Sequence, residues 1–166
     1  GHLLRFVARL RRLQSQLEVE EALMASTENS VAWQRAIAAI QDDERYGRRR
    51  INRQVGMVPL GPDPDSGLQE FAQSWTGLVP RRGAGGGLLI TGNSAVVFVL
   101  IPAGADGAPF FLAKHELTCG QWSRLAGEWE VSPRDAQSVL AVDRLPWTQC
   151  VSRLRAVGGW IRLPTA

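Results

Sequence analysis

Residues 110–122 constrain the fold more than any other part of the chain. Phe110-Phe111-Leu112-Ala113 is a short apolar run opened by two aromatics, which favour extended backbone. Lys114, His115 and Glu116 then turn it polar. Thr118 is an N-cap type residue with Gln121 three positions on, the capping-box spacing. Trp122, Leu125 and Ala126 follow at helical spacing. The stretch therefore predicts a strand that runs directly into a capped helix, and the chain as a whole reads as α+β.

The N-terminal part is helical in pattern. Over residues 3–25, apolar positions fall at Leu3, Phe6, Val7, Leu10, Leu13, Leu17, Leu23 and Met24. The seam Phe6, Leu10, Leu13, Leu17 has three-four spacing and suits a partner helix, either the next helix of the same chain or a separate coiled-coil strand. Its charge runs Arg first and Glu last, opposite to the preference of the helix dipole. Residues 26–30 offer several N-caps and predict a break. A second helix is expected over 31–44, facing inward through Val31, Trp33, Ile37, Ala38 and Ile40, with Gly47 as a left-handed cap. Residues 1–47 thus read as a helical hairpin extension.

Residues 48–87 read as a turn-rich connector. An apolar run at 55–60 precedes the Pro-, Gly- and Asp-rich turns of 61–67. A short helix is expected from Leu68 to Trp75, capped by Ser66, with Leu68, Phe71 and Trp75 on one face. Asp63, Asp65 and Ser66 have the flavour of a calcium loop but lack the spaced ligands and distal Glu of an EF-hand, which favours a structural turn. The glycine-rich residues 80–87 lack a Gly-Lys-Ser/Thr ending and precede strands, so they read as a hairpin or linker, not a phosphate cradle.

Residues 88–166 read as a further domain. Strands are expected at 88–91 and 95–101, joined by Gly92-Asn93-Ser94. The run 96–101 has no polar alternation and should be buried on both faces. Ser132-Pro133-Arg134-Asp135 starts a helix. Another spans 147–155, with Cys150, Val151 and Leu154 inward; Gly158-Gly159 ends it, and 160–163 is a short strand. Trp122, Trp147 and Trp160 are expected in the core.

Bulk properties exclude several classes. The net charge of +3 is modest, and the Arg clusters at 9–12 and 48–50 read as solvated helix faces and ends, which argues against nucleic acid as a partner. No apolar run approaches the roughly 18 residues needed to cross a membrane. Arg5 and Arg9 interrupt the N-terminal apolar stretch, so it is not a signal peptide. The expectation is a soluble, cytoplasmic chain. Two cysteines, Cys119 and Cys150, are too few for a disulfide framework and are expected reduced.

The usual catalytic sets are missing from the sequence: no Gly-x-Ser-x-Gly elbow, no His-x-x-x-His pair, no Cys-x-x-Cys. His115-Glu116 suggests an acid–base pair or a structural hydrogen-bonding group. No residue is assigned a catalytic, cofactor-binding or metal-binding role.

The order of residues in 110–122 resembles the phrase "aromatic, two or three residues, Lys, Tyr/His, Glu, Val/Leu, Thr, x, Gly, Gln, Trp" of the formylglycine-generating enzyme (sulfatase-modifying factor) family. Two further stretches are similar in the same order. Residues 96–104, an apolar run ending Ile101-Pro102-Ala103-Gly104, match the family's opening strand. Leu145-Pro146-Trp147-Thr148 followed by Arg162-Leu163-Pro164-Thr165 matches its "Val-Ser-Trp, helix, Arg-Leu-Pro-Thr-Glu" segment. Residues 30–40 and 56–71 look like the region preceding that domain in some large bacterial proteins, some with a kinase upstream. The resemblance implies a C-type-lectin-like fold, partial here because 102–109 is shorter than the family's insertion and the pattern ordinarily continues past Ala166. It implies oxidation of a target-protein cysteine to formylglycine, with copper, and possibly calcium, in a complete domain. The family's catalytic cysteines lie beyond the Arg-Leu-Pro-Thr segment, and neither Cys119 nor Cys150 matches them. The chain is thus expected to be an inactive scaffold portion or a non-catalytic binding module of a multidomain signalling protein. Its partner would be another protein or the remainder of its own domain.

Overall fold

The computed structural model describes residues 2–104, 107–126, 139–143, 145–156 and 163. Among these residues the chain is α+β, with four α-helices and one four-stranded antiparallel sheet. Helices α1 (His2–Ala25) and α2 (Thr27–Asp42) come first. Strands β1 (Met57–Pro62), β2 (Gln69–Gln73), β3 (Val96–Ile101) and β4 (Phe110–Ala113) follow and lie side by side in chain order. Helices α3 (Cys119–Ala126) and α4 (Trp147–Ala156) complete the described elements. The expected helix start at 132–135, and the Gly158-Gly159 stop with Trp160 and its strand, lie outside the described residues.

The register divides the sheet into two faces, because directly opposed antiparallel residues point the same way. Phe71, Phe98 and Ala113 share one face; Glu70, Val99 and Leu112 share the other. Helix α2 covers the first face. Its Trp33, Ala36 and Ile40 pack with Tyr46, Met57, Phe71 and Leu100 in one buried cluster. Trp33 tilts against Phe71 at 5.4 Å, and Phe71 meets Phe111 edge-on at 5.2 Å. The Trp33 indole N–H donates to the Met57 carbonyl at 3.1 Å, which answers its one polar need. Tyr46 plays a different part. Its hydroxyl donates to Leu100 O at 2.9 Å and accepts from Gln69 N–H at 3.3 Å, so it stands where the β2–β3 ladder would otherwise continue.

Several expectations are corrected. The helix expected at 68–75 is strand β2, followed by one 3-10 turn at Ser74–Thr76. All five residues of β2 are buried, since it is paired on both sides, and ladder and packing override a helical spacing of Leu68, Phe71 and Trp75. Residues 88–91 form no strand. Leu88 makes only an isolated bridge to Arg82, and β3 pairs with β2 and β4 instead. The helical break is one residue, Ser26, whose hydroxyl caps α2 through Asn29 N–H at 3.1 Å, so α2 begins at Thr27. Its inner face uses Ala36 in place of Ala38, which is exposed. Gly47 is left-handed as expected, but it ends the 3-10 turn Glu44–Tyr46. The run 96–101 is not buried throughout: Phe98, Val99 and Ile101 are half-buried. Trp122 is core, whereas Trp147 is 61% exposed. The stretch expected as a connector supplies two of the four strands.

Candidate functional site

The capping box closes as the spacing predicts. Thr118 Oγ1 accepts from Gln121 N–H at 3.1 Å, and Gln121 Oε1 accepts from Thr118 N–H at 3.0 Å. The same Gln121 donates its amide to Ser94 O and Ala95 O, which fixes the start of α3 to the start of β3. Arg124, one turn on, donates to the carbonyls of Thr76, Gly92 and Ser94 at 2.6, 3.0 and 3.1 Å. Burial pushes its guanidinium below its usual range. These bonds set Trp122 and Leu125 inward, each under 5% exposed.

Between α3, α4 and strands β3 and β4 lies a recess of about 1070 Å³. Phe98, Phe110, Leu112, Trp122, Cys150 and Leu154 are among its walls, and Lys114, His115 and Glu116 stand at its polar side. A concave, mainly apolar space with a few polar groups is the form that ligand-binding sites commonly take.

A cluster of four charged groups braces the sheet beside it. Glu70, on β2, has no solvent exposure. It accepts from Arg82 Nη2 at 2.7 Å and from Lys114 Nζ. Lys114 Nζ also donates to Asp63 Oδ1 at 2.6 Å, and Asp63 Oδ2 accepts from the Ser66 N–H and hydroxyl at 3.0 and 2.8 Å. Arg82 further donates to the carbonyls of Leu60, Gly61 and Gly86. Two carboxylates thus face two cations, as burial of charge demands. The Lys114 hydrogen bond, then those from Ser66, hold Asp63 well below the usual carboxylate range. Burial opposes the charge on Lys114, but its bonds to Asp63 and Glu70 outweigh that and raise its pKa.

His115 and Glu116 are exposed and sit in the bend between β4 and α3, at the mouth of the recess, not in a strand. The Asp63 turn does not fit calcium, because an ammonium occupies the place a cation would take. Copper fits no better among the described residues. Cys119 Sγ lies 3.9 Å from Ala141 O, Cys150 is on α4, and no three His, Cys, Asp or Glu side chains gather as a ligand set. No motif in the sequence marks the cluster of Asp63, Glu70, Arg82 and Lys114. Its trace in the sequence is a Glu among Leu68, Phe71 and Ala72, since a buried Glu needs a cationic partner. Among the described residues no helix is long and apolar enough to cross a membrane.

Comparison with family models, curated proteins and solved structures returned no match for this chain.

Proposed function

We propose that this chain is a non-catalytic, binding portion of a domain resembling the formylglycine-generating enzymes, and that its recess receives an apolar segment of a protein. The observation that carries this reading is the division of labour around the recess. Its walls are mainly apolar, while the Lys114 ammonium is engaged by Asp63 and Glu70. The neighbouring charges brace the scaffold and leave apolar contact as the main means of recognition. The resemblance in 96–104, 110–122 and 145–165 supplies the C-type-lectin-like expectation, and β4, which is an edge strand among the described residues and has Phe110 52% and Leu112 44% exposed, is compatible with a sheet that is extended further. The segment received is either the remainder of the same domain or another protein.

The test against chemistry is direct. The purified chain is incubated with copper(I), O₂ and a Cys-x-Pro-x-Arg peptide, and the peptide is followed by mass spectrometry. The proposal expects the cysteine to persist. Formylglycine formation by this chain would establish the oxidase reading instead.

A further inference from the structure

We propose that α1 is one half of an antiparallel helix pair formed with a second copy of this chain. Leu10, Leu13, Leu17 and Met24 are 49%, 47%, 65% and 61% exposed, although their spacing of three, four and seven lines one stripe of the helix. The helix is already seated on the rest of the chain by another face. Val19, Glu20 and Leu23 are half-buried, and Glu20 Oε2 accepts from Gly56 N–H at 2.7 Å. The leucine stripe therefore does not pack on α2, the first of the two partners its spacing allowed.

The charge pattern selects the occupant. The first half of α1 carries Arg5, Arg9, Arg11 and Arg12; the second half carries Glu18 and Glu21, besides Glu20, which Gly56 and Arg53 of the same chain engage. The first turn holds no acid and the last turn no base, so both ends are mismatched to the helix's own dipole. An antiparallel second copy answers both mismatches. It lays the Arg-rich half of each helix along the Glu-rich half of the other, and each start beside the other's end. A parallel pair would set Arg against Arg and Glu against Glu. The arrangement is self-complementary about a two-fold axis, as a closed dimer requires. At 1.5 Å per residue the helix is about 36 Å long, enough for about three heptads of contact.

Sedimentation equilibrium of the full chain over a concentration series tests this. A concentration-dependent dimer is expected, reduced at least tenfold in affinity by Leu13→Glu while the circular dichroism spectrum and melting temperature are kept. Orientation is read by spin labels on Glu21→Cys in a chain with Cys119→Ser and Cys150→Ser. The antiparallel pair places the two labels about 20 Å or more apart, from the rise per residue. A chain that is monomeric throughout, a dimer indifferent to Leu13→Glu, or labels in close contact would each overturn the proposal. The first result would assign the stripe to a partner of different sequence.

Discussion

The Lys114 ammonium donates directly to Glu70, a residue 44 positions away whose side chain has no exposed surface. Removing the cation while leaving the carboxylate is therefore costly. Lys114→Met should lower unfolding free energy by about 3 kcal/mol in urea titration, the usual range for breaking a buried ion pair. Arg82 also donates to Glu70, so the double variant Lys114→Met/Arg82→Met, which leaves Glu70 buried without a cation, should lose more than the sum of the two single losses. Losses that simply add would mean that the two cations act on Glu70 independently.

Acid should act on the same cluster through Asp63. Its folded-state pKa is depressed, chiefly by Lys114 and then by Ser66. A depressed value contributes stability above the unfolded-state pKa, about 3.9, and the contribution is lost as pH falls through the folded value. Asp63→Asn should be less stable than the parent at pH 7, yet lose less further stability on acidification below about pH 4. Chemical denaturation at pH 7, 4 and 2.5 reads this, and an unchanged pH slope would refute it.

The capping box offers a coupled pair. Thr118→Ala should cost about 1 kcal/mol, the usual value for an N-cap. Gln121→Ala should cost more, since its amide also serves Ser94 O and Ala95 O. The double variant should fall short of the sum, because each side chain caps the other's backbone N–H. Additivity within error would mean that the two caps act independently.

Two left-handed glycines should respond differently to alanine. At Gly56, φ is +70° and an added Cβ would lie 2.4 Å from Gln73 Oε1 and 2.7 Å from Trp75 Cε2. At Gly47, φ is +62° with nothing within 4 Å. Gly47→Ala should cost about 1 kcal/mol, from backbone strain alone. Gly56→Ala should cost at least about 2 kcal/mol more, from overpacking. Thermal melts of the two variants side by side distinguish them, and equal costs would contradict the close approach at Gly56.

The sequence was most legible where local chemistry and tertiary packing agree. Thr118, Gln121 and Trp122 specify a capped helix within five residues, and that helix forms. Asp63 and Ser66 make the expected turn for the same reason. Strand β2 was illegible because its identity is not local. Glu70 looks solvated until Arg82 and Lys114 arrive from 12 and 44 residues away. Leu88-Leu89-Ile90 looked like a strand, but β2 occupies the place beside β3 that a hairpin would need. The recess is less legible still: its walls come from strands and helices far apart in sequence, and no short motif records their convergence.

If the recess takes up apolar groups, titration of the native chain with an environment-sensitive apolar dye, anilinonaphthalene sulfonate, should show saturable binding that apolar peptides displace. Phe110→Arg, a change at an exposed wall residue, should weaken it at least tenfold without lowering the melting temperature, while Leu13→Glu on α1 leaves that Phe110-dependent site intact. No binding to the folded chain, or binding untouched by Phe110→Arg, would mean that the recess is not an apolar binding site.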